Sequence, residues 1–317
     1  MSIGHEDGGI SPAGSASQAR ELLAVLVLSY NKREAALKCL DSVARLRYQP
    51  RRIVVVDNGS DDGSADAIAR AHPAVCLVRS STNLGAAGGR NFGIRWITER
   101  FNYSYLLFLD DDASVDDRLA DELAGALRAD PQAGLATPKA YRAGAPGVIA
   151  SAGGMRVRLW RGSIVDLGAG EADRGQYDQP RTVDSCVGFT VLARREALER
   201  VRGFDDAFNP YGWEEVDFSL RVRQAGYRIV YVPTAVGWHA GGTPGRGHRV
   251  SLYERGKSAN FFRLLRRHAR PLEWLVLGVT LPIRAAGLVL RDALRGDWAQ
   301  LGARWAGALD ALGRRLH

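Results

Sequence analysis

Three consecutive carboxylates, Asp110, Asp111 and Asp112, follow the apolar run 105–109 (Tyr-Leu-Leu-Phe-Leu) without a break. Such a run predicts a buried strand, so the acids leave its carboxyl end together, at the edge where open α/β sheets hold ligands. Three like charges side by side repel by about 1 kcal/mol per pair in water and about 4 kcal/mol at an effective dielectric of about 20. A hard divalent cation with oxygen ligands relieves that repulsion, which makes the three acids together a candidate metal site. A solvated turn or a helix N-cap would use the same residue type. Far downstream His239, beside Trp238 and a glycine pair, is either a structural histidine or a further metal ligand.

A second acidic group, Glu214, Glu215 and Asp217, opens a predicted helix, where the dipole favours acids and Asp217 can form a surface pair with Arg221 one turn on. Just upstream, Phe208, Tyr211 and Trp213 supply flat apolar surfaces that suit a sugar ring, and a partly desolvated glutamate beside them can serve as a general base. Glu214 and Glu215 point about 100° apart on a helix, so only one faces a given cleft. Asp57 and Asn58 end the run 52–56 in a glycine turn, which places a carboxylate within reach of a base or ribose, or makes an Asx turn. Between Asn83 and Asn91 three glycines, Gly85 among them, could bring backbone close to a phosphate that Arg90 would pair. The segment matches neither the dinucleotide G-x-G-x-x-G pattern nor a P-loop.

These groups need a frame. The unalternating run 22–28 predicts a parallel strand covered on both faces, and it ends in Ser29, Tyr30 and Asn31. A helical pattern over 33–46, a strand at 52–56, a helix at 65–71 and a short strand at 75–78 follow, then a helix after the glycine segment and the acid-bearing strand. The first 112 residues therefore read as a doubly wound nucleotide-binding half. Beyond residue 131 the pattern loosens, with a hairpin expected around 150–170. Regularity returns with the run 187–193, a helix at 194–201, another ending near Ala225, and a strand at 228–232 that a short loop separates from His239.

The 317 residues, 46% of them hydrophobic, suit one large α/β domain with an appendage. Cys39, Cys76 and Cys186 show no metal-binding spacing and read as buried thiols of a reducing compartment. Residues 1–20 read as a disordered tail without a secretory signal, and the most apolar stretch, 272–290, is interrupted by Glu273, Pro282 and Arg284, so no membrane span is expected. The formal charge of +8 is lopsided: residues 246–317 carry fourteen basic and five acidic groups, and the first 245 carry 29 and 30. Such asymmetry points to an anionic surface as partner.

Taken in order, Leu28-Ser29-Tyr30-Asn31, the stretch from Val56-Asp57-Asn58-Gly59-Ser60 to Ser64, Asn83-Leu84-Gly85 through Arg90-Asn91, Leu109-Asp110-Asp111-Asp112, Trp213-Glu214-Glu215-Val216-Asp217 through Arg221, and Trp238-His239 resemble glycosyltransferase family 2. The likeness covers roughly residues 22–242. It implies a GT-A fold and an inverting, metal-dependent transfer of a sugar from a nucleotide-diphosphate donor to an acceptor hydroxyl. Ser29, Tyr30, Asn31, Asp57 and Asn58 are then expected to hold the nucleotide, with Asn83, Gly85, Arg90, Asp110 and Asp111 completing the donor site. Asp110, Asp112 and His239 are expected to hold Mg2+ or Mn2+. The family's base motif reads Glu-Asp-x-Asp where this chain has Glu-Glu-Val-Asp, so the base falls on Glu215, with Glu214 a rival and Asp217 completing the motif.

The resemblance further implies an acceptor on a lipid-linked or cell-envelope glycan, as for enzymes that transfer rhamnose, galactofuranose or glucose. The expected domains are a catalytic unit over 21–245, with its nucleotide half at 21–112 and acceptor half at 113–245, and a basic amphipathic helical region over 246–317. That region would attach the protein peripherally to the inner face of the plasma membrane from the cytoplasm, and no nucleic acid partner is expected. It could equally form a helical cap with solvated arginines. Two competing classes are a sugar nucleotidyltransferase, which would carry a Gly- and Lys-rich triphosphate loop, and a non-catalytic protein that binds anionic surfaces.

Overall fold

The computed structural model describes residues 21–210, 212–241 and 248–313. The tail expected over 1–20, together with Tyr211 and Gly242, lies outside them. Strand and helix alternate from the start: β1 (Leu23–Ser29), α1 (Arg33–Ala44), β2 (Arg51–Asp57), α2 (Ser64–Ala71), β3 (Cys76–Arg79), α3 (Gly85–Arg100) and β4 (Tyr105–Asp110). The four strands are parallel in the order β3-β2-β1-β4, so the chain winds outward from β1 and then returns to its other side. That reversal opens a crevice above the carboxyl ends of β1 and β4. Register levels the ends, with Ser29 opposite Asp57 and Leu28 opposite Asp110.

The second half contributes β5 (Ala113–Val115), α4 (Leu119–Ala129), β6 (Ala133–Arg142), β7 (Ile149–Ala152), β8 (Met155–Arg158), β9 (Ser163–Asp166), β10 (Arg181–Thr182), β11 (Thr190–Arg194), α5 (Arg195–Val201), α6 (Glu214–Gln224) and β12 (Arg228–His239). Here β11 runs antiparallel to β4 and β6, while β12 runs parallel to β6, extending the sheet to ten strands. The hairpin expected around 150–170 is β8–β9, a separate two-stranded ribbon. Apolar side chains cover both faces of the large sheet, which is why β1 and β4 read as continuous apolar runs.

Two elements depart from their expected bounds. β12 continues to His239 itself: a shift in pairing between Val232 and Val236 absorbs Pro233, Thr234 and Ala235 as a bulge, and pairing then resumes against Lys139. Proline has no amide hydrogen for the ladder, so a bulge is where it fits. The helix expected after the glycine segment instead begins inside it, at Gly85. A Cβ on Gly89 would lie 2.6 Å from Leu28 Cδ1, and one on Gly93 2.4 Å from Leu26 Cδ1, so these glycines let α3 press onto β1.

Three helices follow: α7 (His248–His268), α8 (Pro271–Arg295) and α9 (Trp298–Gly313). α7 packs into the catalytic body, where Leu264 and Leu265 are buried and Asn260 donates to the Phe208 carbonyl. α8 runs unbroken through Pro282 and Arg284, and with 25 residues and a mean hydropathy of 1.5 in its most apolar stretch it has the length and composition to cross a bilayer. One interior proline and one arginine do not end this helix. Leu272, Leu275, Val279, Ile283, Leu290 and Leu294 along it are exposed.

Candidate active site

Asp110 is the last residue of β4, and the chain then turns into β5, whose Ala113 pairs with His239 at the end of β12. The Ala240 amide donates to the Asp112 carbonyl at 3.1 Å, closing the seam. One ligand atom each from Asp110, Asp112 and His239 can therefore lie within 4.8 Å of the others. Phe189 stacks face to face on the His239 ring at 4.4 Å, holding its orientation. Asp112 Oδ1 is 3.0 Å from His239 Nε2, yet it is buried and has no aligned hydrogen-bond donor. Carboxylate and imidazole aimed at one point, with a buried oxygen left over, fit a divalent cation. Burial opposes the charge on Asp112, but His239 and Lys32 outweigh it and hold the carboxyl low. Burial likewise works to lower His239, and Asp112 and Asp110 raise it.

Across the crevice, the ends of β1 and β2 are stitched together. Tyr30 N donates to Asp111 Oδ2, Asn31 N to Ser60 Oγ, Asp61 N to Asn31 Oδ1, and Ser60 N to Asp57 Oδ1. Asn31 takes a positive φ of 50°, a region asparagine tolerates better than most residues. Tyr30 presents an exposed ring above the sheet edge, whereas Ser29, Asp57 and Asn58 are enclosed. Lys32, which the sequence reading passed over, places its ammonium 3.2 Å from Asp111 and 2.8 Å from Asp112. Burial pushes the Asp111 carboxyl up, to about 6, against the pull of that lysine.

Several amides of the glycine segment already have partners within the protein. Leu84 N is taken by Asn58 Oδ1, Gly85 N by Asn83 Oδ1, and Ala87 N by Asn209 Oδ1, so the first turn of α3 is already capped. Asn58 and Asn83 thus accept from the amides at which α3 opens. Arg90 is enclosed as well. It is 5% exposed, and its guanidinium joins Asp110 at 2.7 Å to Glu214 at 3.3 Å while also donating to the Gly188 carbonyl. Both terminal nitrogens of the side chain have partners.

Glu214 and Glu215 accordingly have different surroundings. Glu214 is buried against Arg90, whereas Glu215 lies over Gly188, where a Cβ would approach its carboxyl to 3.5 Å. Burial and the neighbouring Glu214 raise the Glu215 carboxyl to about 8, with Arg90 and Lys257 acting against them. Asp217 points elsewhere. It is fully buried, paired with Arg221 at 2.7 Å and His268 at 2.8 Å, so it anchors α6 to α7 and is not the expected surface pair. Despite burial, His268 and the arginines hold its carboxyl low. Phe208 is likewise core and offers a sugar no face. Trp213 is half-buried with a positive φ of 70°, a strained conformation for a bulky residue, and its indole donates to the Lys257 carbonyl.

Sequence reasoning missed Lys32, Lys257 and Asp166. Asp166 ends β9; burial raises its carboxyl, with Ser151, Lys257 and His239 opposing. Only the adjacency of Lys32 to the Ser-Tyr-Asn motif carried a signal; the other two meet the site through tertiary packing. A separate hollow of about 410 Å3 between α7 and α9, which Arg255 and Arg263 line, involves none of the acids named above.

The sequence matches the family described as Glycosyl transferase family 2 over residues 24–202, and that described as the N-terminal domain of galactosyltransferase over 173–239. It is 29% identical over 296 residues to an N-acetylglucosaminyl-diphospho-decaprenol L-rhamnosyltransferase of Mycobacterium tuberculosis, covering 87% of this chain and 95% of that one. Among solved structures, the mannosyltransferase PcManGT from Pyrobaculum calidifontis in complex with GDP-Man and Mn2+ aligns with a TM-score of 0.55 and 20% identity, over 93% of this chain and 88% of the other. GalNAc-T7 with UDP, GalNAc and Mn2+ gives 0.60 and 15%, over 78% and 48%. The fold is thus the GT-A fold, and the chain belongs to glycosyl transferase family 2.

Proposed function

We propose that this glycosyltransferase moves a sugar with inversion from a nucleotide diphosphate to a hydroxyl of a lipid-linked, cell-envelope acceptor, with Glu215 as the base. The convergence of Asp110, Asp112 and His239 on one point, opposite a half-buried glutamate of raised pKa, carries this reading. Tyr30 covers the nucleotide, and Asn31, Asp57 and Asp111 shape its cradle. Asp110, Asp112 and His239 hold Mg2+ or Mn2+, which when bound supplies positive charge against the departing diphosphate. Arg90 keeps Asp110 and Glu214 in place, so Glu215 alone is left to take the acceptor proton on the opposite face of the anomeric carbon. The likeness to a mycobacterial L-rhamnosyltransferase that acts on N-acetylglucosaminyl-diphospho-decaprenol supports a lipid-diphosphate acceptor and a rhamnose-type donor. The exposed apolar helix α8, within the basic region 246–317, supports attachment to an anionic membrane from the cytoplasmic side.

A panel of nucleotide-diphosphate sugars, a deoxyhexose donor included, tests this through release of nucleoside diphosphate. One donor is expected to turn over with Mg2+ or Mn2+ and to stop in excess EDTA. Glu215→Gln should lower transfer by about 10²–10⁴-fold while nucleotide binding persists. Turnover in EDTA, or an active Glu215→Gln protein, would contradict the assignment.

A further inference from the structure

We propose that Lys257 is the anchor for a phosphate on the acceptor, so that the site selects a sugar carried on a lipid diphosphate over a neutral glycan. The inference rests on the glycosyl-transfer reading and deepens it by naming the acceptor subsite. Lys257 lies on α7, outside every motif of the nucleotide half. Its carbonyl accepts from Trp213 Nε1 at 2.9 Å, and its ammonium sits 5.0 Å from the Trp213 ring centroid and 5.4 Å from that of Tyr253. The lysine stem also runs against Gly212, where a Cβ would lie 3.2 Å from Lys257 Cγ. These contacts place a cation at the first turn of α6, beside the proposed base. Among the described residues this ammonium makes no ion pair, whereas its neighbours Arg255, Arg267 and Arg304 are matched to carboxylates. Aromatic faces thus hold a half-buried charge in position without neutralising it.

What lies on either side of that charge gives the ligand its class. Inward are Glu215 and Asp166, both of whose carboxyls feel Lys257. Outward, one turn along α7, Phe261 packs on Trp213 with centroids 6.2 Å apart. Gly162, in the turn of the β8–β9 hairpin, brings Phe261 together with Leu277 and Leu281 of α8. The exposed apolar side chains of α8 continue from there. Base, cation and apolar surface occur in the order in which a reacting hydroxyl, a phosphate and a lipid chain occur in a glycosyl-diphospho-lipid. A neutral glycan would leave the cation without a partner.

The test compares kcat/KM for two acceptors that carry the same sugar, one an alkyl diphosphate and the other a plain alkyl glycoside. The wild-type protein is expected to prefer the diphosphate by about tenfold or more, the scale of one hydrogen bond to a charged group. Lys257→Met should collapse that preference, and Lys257→Arg should retain it. Equal use of both acceptors by the wild type, a comparison that needs no variant to fold, overturns the proposal. So does an equal loss on both acceptors in Lys257→Met, which would mark a structural role. Competitive inhibition by phosphatidylglycerol vesicles that Lys257→Met abolishes would reassign the residue to membrane headgroups. Failure of the wild type to consume any nucleotide sugar would instead overturn the transfer reading itself.

Discussion

Arg90 is the side chain whose position tells most about the chemistry. One buried guanidinium ties the acid ending β4 to the first acid of α6, so a proposed metal ligand and the neighbour of the proposed base share a single counter-charge. Replacing it with glutamine strands Glu214 in the interior. Arg90→Gln is expected to cost about 3 kcal/mol in a urea titration, at the low end for a broken buried pair because Asp110 is 32% exposed. Glu214 also sets the working pH of its neighbour. Removing its charge in Glu214→Gln lowers the Glu215 pKa, so the acid-side limb of the kcat/KM profile should move to lower pH; an unmoved limb would exclude Glu215 as the titrating base. Between 4.5 and about 8 the folded chain keeps a proton on Glu215 that the unfolded chain releases. The stabilisation from this group is therefore complete below 4.5 and is lost as pH rises through about 8. None of this pairing was legible beforehand, because Glu214 lies 124 residues from Arg90.

At the level of elements, the alternation of the first half could be read almost directly. Unbroken apolar runs mark parallel strands buried on both faces, and the acid-tipped β4 ends where expected. What could not be read is how β12 reaches the site. Pro233 argues for ending a strand, and only the antiparallel partner β5 shows why pairing resumes and delivers His239 to Asp112. The glycines of α3 are legible as glycines but not as packing devices, since the close approach of Leu26 and Leu28 is tertiary. A sharper case is Gly154, at the root of the hairpin that carries Asp166. With φ of 109° and a would-be Cβ 2.0 Å from the Ser185 carbonyl, it has no room for a side chain. Gly154→Ala should lower stability by about 1–3 kcal/mol, read as a shifted urea midpoint.

At the scale of the whole molecule, the lopsided charge suggests an attachment region, and the sequence alone understates the apolar helix within it. Pro282 and Arg284 look like interruptions on paper, but a helix tolerates each at its surface. Replacing Leu275, Val279 and Ile283 together with glutamine should reduce retention on anionic liposomes at least tenfold and leave the melting temperature nearly unchanged, since these side chains touch solvent. Unaltered retention would remove α8 from membrane attachment.

α7 grips α6 at two points, through Lys257 near its middle and through His268 on Asp217. Eleven residues of helix separate these grips, about 16 Å of stiff rod. That rod leads directly into α8, so if α8 rests on a bilayer as proposed, the proposed base is held at a set height above it. Reach would then be a matter of altitude: a hydroxyl presented too close to the bilayer, or too far above it, would miss the base whatever its stereochemistry, and the length of the acceptor would be judged before its identity.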